Sequence, residues 1–300
     1  MSSLMSDRLW VLVLAAGEGS RIRHLTTDSH GKSAPKQYAS FNGEASMLRK
    51  TLDRAERIVP RERVAVVVAR QHRAFWAREL ADLPPWNVIV QPLNRGTGLG
   101  LLLGLLHIQL RAPGCGLLVL PSDHHVTDED ALHECLLRAV EHTTQARGRP
   151  TLLGVTPERA DGGLGWILTA KRVSTDVRDV VGFVEKPEPS VARRLASAGA
   201  LVNSMIVAAD GDALLSLFQS AVAPTIQLLR ERLAASGGRT ENLDALYQAL
   251  PACDFSRDIL EREASRLAVV PARPCGWTDI GTPDRLSRVF ERPPGAACVA

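Results

Sequence analysis

Two glycines, Gly17 and Gly19, stand directly behind a short apolar run, and two cations, Arg21 and Lys36, follow them. A glycine turn at the end of a strand lets the backbone approach a phosphate closely, and fixed positive charge then neutralises it. Three phosphate-binding patterns compete for this loop. A dinucleotide fingerprint needs a third glycine near Ile22, which is absent. Gly31-Lys32-Ser33 imitates the end of a P-loop, but the required upstream glycine position is Thr26. What survives is AAGEGSR followed by PKQ. Further along, Asp123 sits just beyond an apolar run, at the place where open α/β sheets bind ligands. His124 and His125 follow it, and without another His or Cys at ligand spacing they read as loop or packing residues. Gln91 carries both a donor and an acceptor, and Gly96 belongs to a Gly-rich helix start that, alone, is more often structural than functional. Glu185 and Lys186 set an acceptor beside an ammonium ahead of Pro187, a pair that by itself is common on any solvated surface.

The elements that must position these residues alternate short apolar runs with amphipathic helix-length segments, the pattern of an α/β protein with a largely parallel sheet. Strands are expected at Leu9–Ala15, Val64–Val68, Val88–Gln91 and Leu117–Leu120. Helices are expected over Met47–Ile58, Gln71–Leu83, Thr97–Leu110 and Asp128–Arg147, the last with acids in its first turn. After Pro150 the strands crowd together at Leu152–Thr156, Trp166–Ala170, Val180–Glu185 and Leu201–Ala208, followed by helices at Asp210–Gln219, Pro224–Ala235 and Glu241–Leu250 and a last strand at Leu267–Val270. The reading is one domain over residues 1–292, with a first half at about 8–150, a second half at about 151–292 and a loose tail at 293–300.

Composition narrows the function classes. The chain has 300 residues with a hydrophobic fraction of 45%, enough for a full core. A formal charge of +3 and the absence of a Lys/Arg run argue against a nucleic-acid partner. The apolar run near the N-terminus is too short to span a bilayer, so neither a membrane nor export is expected. Five cysteines, odd in number and without paired spacing, read as reduced, buried thiols of a cytoplasmic protein.

The segments AAGEGSR, PKQ, QPLNRGTGLG, VLPSDHHV, GLGWI, VVGFVEKP and CGWTDIGTPDRL, in this order, resemble the sugar-nucleotide pyrophosphorylase family, with Gln37 after Lys36 placing the chain nearest the mannose-1-phosphate guanylyltransferase branch. The resemblance implies a Rossmann-like, doubly wound mixed sheet without a C-terminal β-helix, and transfer of a nucleotidyl group from a nucleoside triphosphate, GTP by that branch, to a sugar 1-phosphate. It implies catalytic roles for Arg21, Lys36 and Asp123, and nucleotide contacts from Ala16, Gly17, Gly19, Gln91, Gly96 and Thr97. Gly165, Glu185, Lys186 and Asn203 would meet the sugar phosphate, and Asp123 and Asp279 would hold Mg²⁺, a hard cation that prefers oxygen ligands. By itself, Asp279 is equally a turn aspartate before Gly281 and Pro283. One segment departs from the pattern. Where the family has Trp-Asn-Ser-Gly this chain reads Val202-Asn203-Ser204-Met205, so the sugar is open. A uridylyl- or thymidylyltransferase acting on glucose 1-phosphate, and a non-catalytic relative that binds nucleotide sugars, stay as alternatives. The sequence supports no particular oligomer.

Overall fold

The computed structural model describes residues 8–27, 33–41, 43–145, 148–170 and 177–290. The tail at 293–300, Cys298 and the P-loop-like residues Gly31 and Lys32 lie outside them. The strands are β1 Leu9–Ala15, β2 Val64–Ala69, β3 Val88–Gln91, β4 Gly116–Pro121, β5 His124–His125, β6 Thr151–Val155, β7 Gly165–Thr169, β8 Arg178–Glu185, β9 Leu201–Asp210, β10 Ala268–Pro271 and β11 Thr278–Asp279. The helices are α1 Met47–Glu56, α2 Arg73–Glu79, α3 Thr97–Gln109, α4 Glu129–Gln145, α5 Pro189–Ser197, α6 Gly211–Ala235, α7 Asp244–Ala249 and α8 Pro283–Val289.

Nine strands form one sheet in the order β3-β2-β1-β4-β9-β6-β10-β8-β7. The first four run parallel, as does β6 beside β10, whereas β9 is antiparallel to β4, β6 and β7. The sheet is therefore mixed, and less parallel in its second half than the opening apolar runs suggest. Strand β1 explains the layering. Trp10 and Leu12 point into one core with α3 and α6, while Leu9, Val11, Val13 and Ala15 point into the other with α1 and α4. Both faces of a strand with period-two side chains are thus covered, which is why its residues are apolar throughout. Helix α3 is buried on every side, from Gly98 to Ile108, and its sequence is correspondingly apolar all round.

Several elements differ from the expectations. The segment after β2 begins as a 3₁₀ turn at Arg70–His72, and its α-helix ends at Glu79. The two helices expected on either side of Ala223 are joined in α6 across a kink at Val222, whose φ of −140° is non-helical. Pro224 accounts for the break, since it has no N–H to donate to the carbonyl four residues back, at Ser220, and its ring crowds that carbonyl. The four described cysteines are free and buried, and no helix among the described residues is long and apolar enough to cross a membrane.

The two-layer core makes a direct prediction. Leu12 is wholly buried at the centre of the sheet, so Leu12→Ala should lower the unfolding free energy by about 2–5 kcal/mol. Val181, which is 61% exposed, should tolerate the same truncation within about 0.5 kcal/mol. Urea denaturation of the two variants checks the contrast, and equal losses would contradict the assignment of Leu12 to the core.

Candidate active site

Parallel neighbours β1 and β4 deliver their following loops to the same edge of the sheet, one carrying Ala16 and Gly17 and the other Asp123. Lys36 is brought there by a short 3₁₀ turn, Lys36–Tyr38, that is sewn to the end of β1. Gln37 Nε2 donates to the carbonyls of Ala15 (3.0 Å) and Gly17 (2.9 Å), and the Tyr38 hydroxyl donates to Ala15 O (3.1 Å). Gly19 has a left-handed φ of 61°, and a Cβ there would lie 2.8 Å from the Lys36 backbone nitrogen. Only glycine permits that approach.

Asp279 comes from the other end of the chain. Strand β11 pairs antiparallel with β5, setting Asp279 opposite His124 and Thr278 opposite His125. The backbone nitrogens of Thr127 and Asp128 both donate to Cys275 O at 3.0 Å, which returns residues 275–279 to the end of β4. Asp123 and Asp279 then converge on one cation: Lys36 Nζ lies 3.1 Å from Asp123 Oδ2 and 3.1 Å from Asp279 Oδ1. The Lys36 side chain is only 5% exposed, against 40% for Asp123.

The line of charges continues. Arg285 Nη1 donates to Asp279 Oδ2 at 2.6 Å, and its Nε and Nη2 both donate to Asp161 Oδ2, at 2.9 and 2.7 Å. Taking an ion out of water costs on the order of several kcal/mol, and only close opposite charge offsets it. Burial alone would raise the Asp279 carboxyl, but the Lys36 ammonium first, with the Arg285 guanidinium, outweighs it and holds the group below the usual carboxylate range. Burial likewise acts to lower the Lys36 ammonium, and the two aspartates more than reverse that, so it stays charged. His124 is the opposite case. Burial dominates over Asp123 and lowers its pKa, and its Nδ1 is 3.2 Å from the Trp277 indole N–H, an arrangement that needs a neutral ring accepting at Nδ1.

Lys36, Asp123, His124, Trp277 and Asp279 line a single cavity of about 390 Å³, within the usual range of small-molecule sites. Ala16, Gly17, Arg21, Lys36, Asp123 and Asp279 form one wall of it, with the Arg21 guanidinium against Gly281, two residues beyond Asp279. Gln91, Gly96 and Thr97 form another. There Gln91 Nε2 donates to Leu93 O at 2.7 Å. Gly96, at a φ of 89°, lies so close to the Cys253 carbonyl that a Cβ would be 2.3 Å away. Thr97 Oγ1 accepts from Phe255 N at 3.0 Å, so its hydroxyl ties down the neighbouring segment. Gly165, Glu185, Lys186 and Asn203 line the third side. Register aligns them: Gly165 pairs with Glu185 across β7–β8, and Trp166 pairs with Val202 across β7–β9, so the next step brings Gly165 beside Asn203. Lys186 Nζ is 2.8 Å from Glu185 Oε1.

Residues 10–293 match the nucleotidyl transferase family. The chain belongs to that family. It is 28% identical over 301 residues to a mannose-1-phosphate guanylyltransferase of Salmonella muenchen, covering 96% of this chain and 61% of the relative. It is 29% identical to the xanthan biosynthesis protein XanB of Xanthomonas campestris pv. campestris, covering 96% and 60%. The crystal structure described as a mannose-1-phosphate geranyltransferase from Thermus thermophilus is 31% identical, with a TM-score of 0.79 over 95% of this chain and 80% of that one. The chain therefore spans about 60% of the length of these two curated relatives.

Of the residues the sequence nominates, only Gly19 stays out of the cavity wall; it shapes the seat of Lys36. Sequence reasoning missed Arg285 and Asp161, which fix the far side of Asp279, and also Asn94, Asp254, Ser256 and Trp277, which line the cavity. Arg285 lies within the last of the matching segments, yet nothing local distinguishes a buried arginine there from a solvated one on a helix. Arg285→Ala leaves Asp161 and Asp279 without their shared partner, and should cost about 3 kcal/mol of stability, read from chemical denaturation. A loss below about 1 kcal/mol would mean that solvent replaces the guanidinium.

Proposed function

We propose that this chain transfers a nucleotidyl group from a nucleoside triphosphate to a sugar 1-phosphate, releasing pyrophosphate, with GTP and mannose 1-phosphate as the substrate pair. The observation that carries the reading is the convergence of Asp123 and Asp279 on Lys36 in a cavity that Arg21 and Lys186 also line. Such a site is built to gather phosphates. The relatives named as mannose-1-phosphate guanylyltransferases favour guanine and mannose over the uridylyl and thymidylyl alternatives.

The chemistry needs little beyond position and charge. An oxygen of the sugar phosphate, already ionised at neutral pH, attacks the α-phosphorus; the new O–P bond forms as the bond from the α-phosphorus to the bridging oxygen breaks, and the electron pair leaves with pyrophosphate. Arg21 and Lys36 neutralise charge on the transferring group and on the departing pyrophosphate. Ala16, Gly17, Gln91, Gly96 and Thr97 hold the nucleotide. Glu185 accepts from sugar hydroxyls, Lys186 pairs with the sugar phosphate, and Gly165 and Asn203 complete that wall. Gly19 acts through Lys36.

Magnesium fits the donor set. Asp123 and Asp279 are hard oxygen donors that already share one cation, Lys36. Among the described residues no third His, Cys or acidic side chain joins them in a metal-sized cluster, which suits an ion completed by phosphate oxygens and water. Bound there, Mg²⁺ would supply Lewis-acid charge to the triphosphate. The reading sets the work of the chain in the cytoplasm, where nucleoside triphosphates are made, and calls for neither a nucleic acid nor a membrane.

Pyrophosphate release across a panel of nucleoside triphosphates and sugar 1-phosphates tests the assignment, and a wild-type chain silent on the whole panel would overturn it. Asp123→Asn keeps the size of a half-exposed side chain and should lower the rate by roughly 10²–10³-fold, with a melting temperature close to that of the wild type. Chelation by EDTA should stop release, and excess Mg²⁺ should restore it.

A further inference from the structure

The strand that carries Asn203 contains an irregularity with consequences for the sugar. Between β6 and β9, Leu152 pairs with Val207 but Gly154 pairs with Asn203, so β9 holds extra residues over this step and bulges. Ser204 turns inward, its hydroxyl donating to Leu153 O at 2.6 Å and accepting from Ile206 N at 3.3 Å. Met205 sits at the crest with a φ of 59°. Non-glycine residues are uncommon at such a φ, and a side chain held there is imposed by its surroundings and concentrates at functional sites.

The contacts of Met205 say what its side chain does. Asn203 Oδ1 accepts from Met205 N at 3.1 Å, and Asn203 Nδ2 points at Met205 Sδ at 3.4 Å. Ser256 Oγ also points at that sulfur, at 3.2 Å. Two donors aimed at this corner thus end on a thioether, a weak acceptor. Met205, Asn203 and Ser256 all line the cavity, and Asn203 is one register step from Gly165 and the Glu185 carboxylate. Glu185 offers a strong acceptor for hydroxyls on one edge of a sugar. The Met205 edge offers an apolar surface and occupies space.

We propose that Met205 is a specificity-determining residue that makes this chain select a sugar 1-phosphate deoxygenated on the ring edge facing it, a deoxy relative of mannose in preference to the parent hexose. The inference rests on the nucleotidyl-transfer reading above and concerns the sugar only. A hydroxyl placed against the thioether loses its water and gains no strong partner, and an unpaired buried hydroxyl is costly. Discrimination by an apolar wall is modest, about 10–100-fold, because a hydrophobic pocket rejects an added hydroxyl only to that extent.

The experiment compares kcat/KM for pyrophosphate release with GTP and each of mannose 1-phosphate and its 2-, 3-, 4- and 6-deoxy analogues, in the wild type, Met205→Gly and Met205→Ala. Met205→Gly removes both the side chain and the backbone restriction, while Met205→Ala removes the thioether alone, so the inference survives poor folding of either variant. One deoxy analogue should exceed mannose 1-phosphate about tenfold in the wild type, and that ratio should fall towards or below one in the variants, with KM for GTP unchanged. Mannose 1-phosphate preferred over every analogue in the wild type, or a ratio unmoved by either substitution, would overturn the role of Met205 while leaving nucleotidyl transfer in place. No turnover of any sugar by the wild type would remove both readings.

Discussion

Five charged groups in line, Asp123, Lys36, Asp279, Arg285 and Asp161, constrain everything else about this site. The signs alternate, so each inner charge is met on both sides, while Asp123 opens to the cavity and Asp161 is partly exposed at the other end. Three carboxylates against two cations leave the row one negative charge in excess. Asp123, the most exposed member, brings one end of the row to the cavity. Without Lys36 the two aspartates would repel at close range. Lys36 is thus a structural ion as well as a candidate phosphate ligand, and its seat is guarded by Gly19, Gln37 and the turn behind it.

The fold supplies this row from five separate places. Asp123 follows β4, Lys36 rides on a turn sewn to β1, Asp161 lies between β6 and β7, Asp279 arrives on β11, and Arg285 on α8. The pairing of β5 with β11 is the smaller of the two sheets among the described residues, yet it sets Asp279 beside His124. Neutral His124, accepting from the Trp277 indole, fixes the same hinge point from the apolar side. The histidine pair that superficially suggests zinc therefore belongs to the scaffold that aligns the carboxylates.

The opposite side of the cavity works by a different logic. Apart from the Glu185–Lys186 ion pair, its parts are held by backbone geometry: Gly96 against the Cys253 carbonyl, Gly165 against Glu185, and a bulge that carries Asn203 and Met205 at the cavity. Lys186, like Met205, has a left-handed φ, of 48°. Two side-chain-bearing residues in that conformation on one wall mark the part of the cavity where the chain departs furthest from relaxed geometry.

Much of this was legible in the residues themselves. The apolar runs specify β1 to β4 because a strand covered on both faces must be apolar at every position, and that signal is local. The glycine loop, Lys36, Asp123 and Glu185-Lys186 stand at ends of such runs, where chemistry and position coincide in sequence. The order of strands, the antiparallel turn at β9 and the kink at Val222 were less legible, since they depend on which surfaces meet. Tertiary structure alone decided that Asp279 meets Lys36 in the cavity wall instead of standing as an isolated turn aspartate, that Arg285 and Asp161 brace it, and that Met205 lines the same cavity. Each of these depends on charges or atoms brought together from distant parts of the chain, and a pairing energy that exists only at contact leaves no mark on either partner's neighbours in sequence.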